Sequence, residues 1–199
     1  MIAAVVLAAG KSERMGRPKM ALPWGDTTVL GQVVATLVHA GLDQVLVVTG
    51  GGQVEAEQAL SHLPGDWPLR LVFNPDYAAG EMLSSLQAGI ASLDERSEAA
   101  LIVLGDQPQM EARVVRSILG AYRDAGAGLV IPSYAMRRGH PMLVARSLWA
   151  ELLALRPPQT LRELIQAHEA DVLYVTVDTP SVLQDLDTPA DYQQHKPLN

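Results

Sequence analysis

Up to Pro132 the chain keeps one rhythm: a short apolar run, then a longer segment with apolar residues at helical spacing. Residues 2–8 (IAAVVLA), 44–49 (QVLVVT), 69–73 (LRLVF), 99–104 (AALIVL) and 128–132 (GLVIP) read as strands. Residues 28–40, 53–63, 82–93 and 111–125 read as the intervening helices. Thr27 or Thr28 suits the N-cap of the first helix and Gly41 its stop; Pro64-Gly65 ends the second. This alternation predicts an α/β fold whose strands form a parallel sheet joined by crossover helices. The strands are almost uninterrupted apolar runs, as expected when both sheet faces are covered.

Beyond Pro132 the rhythm breaks. Residues 133–145 (SYAMRRGHPMLVA) read as a loop or small hairpin. Helices are expected at about 146–155 and at 160–168, separated by Pro157-Pro158, with a strand at 171–177 and a short last helix after Asp187. The 199 residues suit one domain, with a core built from Leu, Val, Ala and Ile because aromatics are few.

Composition narrows the possible functions. There is no cysteine, so disulfides and thiolate metal sites are excluded, which fits a reducing cytoplasm. The apolar start lacks a preceding basic region and stops at Gly10-Lys11, unlike a signal peptide, and no stretch approaches the roughly 20 apolar residues of a membrane span. The formal net charge of −7 argues against a general DNA or RNA binder. A chain this acidic that handles a polyphosphate must gather its cations locally or use a metal ion.

In open α/β sheets ligands bind outside the carboxyl ends of the strands, and the chemically unusual residues cluster at such ends. Strand 2–8 runs into Leu7-Ala-Ala-Gly-Lys-Ser-Glu-Arg-Met-Gly-Arg-Pro-Lys19, where small residues precede the cations Lys11, Arg14 and Lys19. Such a loop can offer backbone N–H and ammonium groups to a polyphosphate, although it is neither GxxxxGK[ST] nor GxGxxG. Strand 99–104 ends in Gly105-Asp106-Gln-Pro; Asp106 is placed either to hold Mg²⁺ on a phosphate or to cap the next helix. Asp187 is a second candidate ligand, whereas Asp185 and Asp191 read better as capping or solvated acids. Asn74-Pro and Gly80-Glu-Met-Leu-Ser84-Ser85 follow the third strand, and Ser84 and Ser85 can cap a helix or hydrogen-bond to a base. Arg137-Arg138-Gly-His140 is a second cationic loop, suited to an acceptor's phosphate or to an exposed turn. His39, His62, His168 and His195 show no metal-ligand spacing and read as surface residues.

Taken in order, these motifs resemble the LAAGxSxRMGxxK signature, the metal-binding LGDQP loop, the RGHP turn and the DLDTPAD segment of the MobA-like nucleotidyltransferases, and the likeness covers nearly the whole chain. The resemblance implies a three-layer α/β/α Rossmann-like (glycosyltransferase-A-like) fold with a mostly parallel central sheet. Residues 1–199 would form a single domain, its nucleotide-binding half about 1–108 and its acceptor-binding half about 109–199. It implies nucleotide contacts from Leu7, Ala8, Ala9, Gly10, Lys19, Asn74, Gly80 and Ser85, charge neutralisation by Arg14 and Lys19, and Mg²⁺ held by Asp106 and Asp187. Arg138 and His140 would meet the acceptor.

Within that family Ala9, in the AAG form, resembles the cytidylyl branch, which joins CMP from CTP to molybdopterin; the guanylyl enzymes more often carry LAGG. The implied reaction is in-line attack of a molybdopterin-type phosphate on the α-phosphorus of CTP, with release of pyrophosphate and a molybdoenzyme as recipient of the product. Pro157-Pro158-Gln-Thr-Leu-Arg162 departs from the pattern, lacking the glycine-rich piece associated with molybdopterin handling. Guanylyl or other nucleotidyl transfer to a different phosphorylated acceptor, and a non-catalytic cofactor-delivery role, are the competing readings.

Overall fold

A computed structural model of the chain describes residues 1–10, 15, 16, 18–78 and 81–197. Lys11, Arg14 and Gly80, all singled out above, lie outside the described residues.

Seven strands form the backbone of one sheet: β1 (Ile2–Leu7), β4 (Gln44–Thr49), β5 (Leu69–Phe73), β6 (Ala99–Leu104), β7 (Leu129–Tyr134), β9 (Met142–Ala145) and β10 (Val172–Thr176). Their spatial order is β10-β7-β9-β6-β1-β4-β5. Two short strands, β2 (Pro23–Trp24) and β3 (Thr27–Thr28), make a separate hairpin, and β8 (Arg137–Arg138) pairs with β7. The helices are α1 (Val29–His39), α2 (Gln53–Leu60), α3 (Glu81–Ala91), α4 (Ala112–Ala125), α5 (Trp149–Ala154), α6 (Leu161–Ala167) and α7 (Pro189–His195).

The expected three-layer, mostly parallel architecture is present. β1 is central, parallel to β4 on one side and β6 on the other. Residues alternate between two cores, as the pleat requires. Ala4, Val6, Val47, Leu101 and Val103 face one core with Leu30, Val34 and Leu37 of α1 and Val115 and Ile118 of α4. Val5, Val48, Ala100 and Ile102 face the other, with Leu86 of α3, Leu152 of α5 and Leu164 of α6. Helix α3 lies so close to the sheet that a Cβ on Gly89 would come within 2.3 Å of Val5 Cγ1 and 3.0 Å of Val48 Cγ2.

Local signals behave as the sequence predicts. Thr28 caps α1 by accepting from the Gly31 amide at 3.0 Å, and Gly41 follows the helix at φ +91°. The second helix ends at Leu60, short of the expected residue 63, and the segment expected to be a helix over 146–155 opens with a 3₁₀ turn, Arg146–Leu148.

The main difference lies in residues 133–145. A tight turn at Ala135 (φ 48°) and Met136 (φ 64°) returns the chain as β8, and Met142–Ala145 then enters the sheet as β9. This strand is antiparallel to both β6 and β7 and all four of its residues are buried. Its place is left open because the α4 connection carries β7 one position beyond β6. Four apolar residues carry no usable period, so partners elsewhere in the chain decide what they become.

A third apolar cluster unites distant parts of the chain: Met15, Leu22, Trp24 and Val29 from the N-terminal region meet Leu186 and Tyr192 near the other end. The Tyr192 hydroxyl donates to the Pro23 carbonyl at 2.6 Å. That packing brings the segment around Lys19 and the segment around Asp187 to one place. Among the described residues no helix is long and apolar enough to cross a membrane.

Candidate functional site

From β1 the chain steps to β4 and β5 on one side, then to β6 on the other. The order therefore reverses between β1 and β6, and in open α/β sheets ligands bind at the carboxyl ends of the strands at such a switch point. Leu7, Ala8, Ala9 and Gly10 leave β1 at this point, and Gly105-Asp106-Gln107 leaves β6 beside them. Ala8 N donates to Val48 O at 2.9 Å, holding the first loop to the sheet. Gly105 N donates to Leu7 O at 3.1 Å. Gly105 is required by this approach: a Cβ there would meet Leu7 O at 3.1 Å and Met20 Sδ at 3.2 Å.

Lys19 opens a 3₁₀ turn, Lys19–Ala21, whose Met20 is buried against the core. Its Nζ contacts the Asp106 carboxylate and lies 3.5 Å from Asp187 Oδ1. The Lys19 and Asp106 side chains are 12% and 15% exposed, and Asp187 is half-buried. An ion pair this sheltered is screened far less than a surface one. Asp106 does not cap the following helix, since Glu111 occupies the N-cap of α4. Asp191 does cap: it accepts from Thr188 N at 2.7 Å and Thr188 Oγ1 at 2.8 Å, and these bonds hold its pKa below the usual carboxylate range.

Asp185 is drawn into the same area. It accepts from Gln107 Nε2 at 2.5 Å. Crowding around its carboxyl raises its pKa, desolvation being the largest cause, with Asp106 and Asp187 adding to it. Sequence reasoning did not single out Gln107, a buried polar residue beside Asp106; a polar pair directly after a buried strand was the available signal.

His140 belongs to the same neighbourhood. Burial pulls its pKa down to about 4, partly opposed by the Asp106 charge, so at neutral pH the imidazole is uncharged. Its backbone amide donates to Val182 O at 2.9 Å, and Gly139 packs so tightly there that a Cβ would meet Val182 O at 2.5 Å. Arg138 turns elsewhere: its guanidinium lies 3.3 Å from Glu169 and 5.4 Å from the Tyr174 ring centroid, towards the β10 edge. The structure thus places His140 near Asp106 but engages Arg138 away from it.

Asn74 and Ser85 are also buried. Asn74 Nδ2 donates to Ser84 Oγ at 2.9 Å and Ser85 Oγ at 3.1 Å, and Asn74 Oδ1 accepts from the Asp76 amide. These bonds fix the start of α3 against the loop after β5. Tyr77 continues that loop and lies over Gly50 and Gly51, where a Cβ would come within 2.6 Å and 2.9 Å of the ring side chain. The departing segment Pro157–Thr160 is exposed and leads into α6, where Thr160 and Glu163 form a capping box.

Among the described residues no group of three or more His, Asp or Glu side chains could hold a metal ion unaided. Two carboxylates close enough to share one ammonium match what Mg²⁺ usually takes from a protein, phosphate oxygens and water supplying the rest of its shell. All the donors offered are oxygen, which selects hard divalent cations.

The chain is similar to known proteins along most of its length. The model of the MobA-like NTP transferase domain matches residues 4–183. Over 188 residues the chain is 26% identical to the molybdenum cofactor cytidylyltransferase of Escherichia coli strain K12, covering 94% of this chain and 92% of that one. It is 32% identical over 153 residues to the nicotine blue oxidoreductase of Paenarthrobacter nicotinovorans, covering 74% and 72%. The crystal structure of Rv0371c from Mycobacterium tuberculosis H37Rv superposes with a TM-score of 0.81 at 30% identity, covering 97% of this chain and 95% of that one. The same mycobacterial protein has also been solved as a complex with manganese.

Proposed function

The chain belongs to the MobA-like NTP transferase family and is a nucleotidyltransferase, and we propose that it transfers CMP from CTP to the terminal phosphate of a molybdopterin-type acceptor, with Mg²⁺ held by Asp106 and Asp187. The observation that carries the reading is the grouping of Lys19, Asp106 and Asp187 at the switch point of the sheet. CTP as donor is supported by Ala9 in the AAG form and by the likeness to the Escherichia coli cytidylyltransferase. A divalent ion is supported by the all-oxygen donor set and by the manganese complex of the mycobacterial relative.

In this reading the backbone of Leu7–Gly10 and Asn74 contact the nucleotide, and Gly80 and Ser85 serve recognition of its base. A phosphate oxygen of the acceptor attacks the α-phosphorus in line; its new P–O bond forms as the α–β bridging bond breaks, and pyrophosphate leaves with that electron pair. The nucleophile is already anionic at neutral pH, so positioning and charge neutralisation matter more than a general base. Lys19 and Arg14 neutralise the triphosphate and the departing pyrophosphate. His140, uncharged, offers the acceptor a hydrogen bond without adding charge. Arg138 joins acceptor binding only by leaving Glu169 and Tyr174. Asp106 and Asp187 would hold a divalent ion, which would supply charge neutralisation to the reacting phosphates. The residues divide, in this reading, into a nucleotide-binding half before about residue 108 and an acceptor-binding half after it.

The test is pyrophosphate release with Mg²⁺ and molybdopterin or molybdenum cofactor, comparing CTP, GTP, ATP and UTP. Release with CTP alone, lost in Asp106→Ala, is the expected result. Release with GTP would keep the reaction and reject the Ala9 argument. Tight nucleotide binding with no release from any triphosphate would overturn the molybdopterin-type acceptor in favour of another acceptor or a delivery role.

A further inference from the structure

Asp106 and Asp187 can act together only if two loops from opposite parts of the chain stay in register. One is the tight turn after β6; the other follows the 3₁₀ turn Pro180–Leu183 and leads into α7. Two bonds lace them. Leu186 N donates to the Asp106 carbonyl at 3.1 Å, and Gln107 Nε2 donates to Asp185 Oδ1 at 2.5 Å. Each bond joins an immediate neighbour of one acidic residue to the other loop. Leu186 itself is fully buried in the apolar cluster with Trp24 and Tyr192, which fixes one side of the lacing. The side-chain bond fixes the other.

The Gln107 amide is a costly way to fill that space. It is 1% exposed, and its Oε1 is buried with no hydrogen-bond partner among the described residues. A buried acceptor left unsatisfied is destabilising, and an apolar side chain of similar size would avoid that cost. For stability alone a glutamine is a poor choice here. Its value lies in the end that is satisfied, a neutral donor aimed at a carboxylate. Asp185 lies two residues before Asp187 and is tied to the residue after Asp106. Without an assigned donor it would be a third carboxylate competing for the same cation.

We propose that Gln107 and Asp185 are positioning residues: their hydrogen bond keeps Asp185 out of the cation site and holds Asp187 opposite Asp106. The proposal rests on the reading of Asp106 and Asp187 as the cation-binding pair. In it Asp185 acts as a hydrogen-bond acceptor and not through its charge, so an amide at the same place does the same work.

The experiment compares Asp185→Asn, Asp185→Ala and Gln107→Ala with the unaltered chain. Manganese binding is followed by the loss of the free-ion EPR signal, and exchange of the Leu186 amide by NMR. Asp185→Ala and Gln107→Ala are expected to weaken manganese binding about tenfold, the usual effect of removing a partner that orients a metal ligand. Both are expected to speed exchange of the Leu186 amide. Asp185→Asn, which keeps the acceptor oxygen, is expected to bind manganese within about threefold of the unaltered chain. In turnover assays the loss in the alanine variants is expected to be recovered at high metal concentration, leaving kcat little changed.

If Asp185→Asn is as damaging as Asp185→Ala, Asp185 is a ligand or a needed charge and the proposal is overturned. If neither alanine variant changes the Leu186 amide or manganese binding, the bond positions nothing and the proposal is again overturned. If the unaltered chain binds no manganese, the cation-binding reading fails by itself, and the Leu186 amide still reports whether the bond holds the loops together. Asp185 lies on the solvent side, so its two variants keep the test decisive even where Gln107→Ala, at a buried position, fails to fold.

Discussion

The sheet has two regions of different character. On one side β1, β4, β5 and β6 run parallel, each read directly from its apolar run; on the other, β7, β9 and β10 surround an antiparallel insertion. The parallel region supplies Asp106 and the Leu7–Gly10 loop. The mixed region and its extension supply His140, Asp185 and Asp187. In the first region position follows from local pattern, because a buried strand and its crossover helix carry their own signals. In the second it follows from contacts between distant segments: His140 is set by Val182, and Asp187 by the packing of Leu186 and Tyr192 on the N-terminal hairpin.

The sharpest way to break this comparison is to remove the acid that each region contributes. Asp106→Ala is expected to lower kcat/KM by about 10²–10³-fold, the scale of losing one preorganised electrostatic contact. Asp187→Ala is expected to fall in the same range. Steady-state pyrophosphate release checks both, with circular dichroism showing that the fold persists. An Asp187→Ala protein with normal turnover would confine the chemistry to the parallel region.

That pair also marks what was legible from residues alone. The β1 and β6 loops could be placed because each follows an apolar run, and the order of the motifs supplied the family likeness. Asp187 was recognised as a candidate, but nothing local said it would share Lys19 with Asp106. β9 was missed because Met142–Ala145 is four apolar residues long and its pairing lies with residues far away in sequence. Gln107 was missed because a buried glutamine differs from a surface one only in its surroundings. Arg138 reads as an acceptor contact from its charge, and only its surroundings show the guanidinium beside Glu169 and Tyr174.

A second contrast is pH. In the folded chain His140 is held at about 4, against an ordinary value of 6.5. Between those values the unfolded chain takes up a proton that the folded chain refuses, so stability falls as pH drops from about 6.5 towards 4. Above pH 7 the imidazole is neutral in both states and contributes nothing to this dependence. At roughly 1.4 kcal/mol per pKa unit the full effect is up to about 3 kcal/mol. Urea unfolding at pH 7 and pH 5 is expected to show a smaller stability difference in His140→Gln than in the unaltered chain. An equal difference would mean that the mixed region leaves His140 open to protonation.

The helix layer of the parallel region can be tested through Gly89. An added methyl would collide with Val5 and Val48, both fully buried, so Gly89→Ala is expected to lose about 1–3 kcal/mol despite alanine's better helix propensity. A denaturant titration measures it. No loss would mean that α3 can slide on the sheet, and the parallel region would be less rigid than its packing indicates.

The smallest expected effect is a gain, and it belongs to the mixed region. Ala135 and Met136 both adopt positive φ in the turn between β7 and β8, a conformation that favours Asn and Gly. Met136 is 96% exposed, so its side chain contributes no packing that replacement would lose. Ala135→Asn with Met136→Gly matches the two-residue hairpin preference and is expected to raise stability by about 1 kcal/mol, seen as a higher denaturation midpoint. Turnover is expected to stay unchanged, because His140 is anchored by the Val182 carbonyl and not by the turn. A changed KM for the acceptor in this variant would show instead that the hairpin tip takes part in acceptor binding, and that the mixed region reaches the substrate with its edge as well as its base.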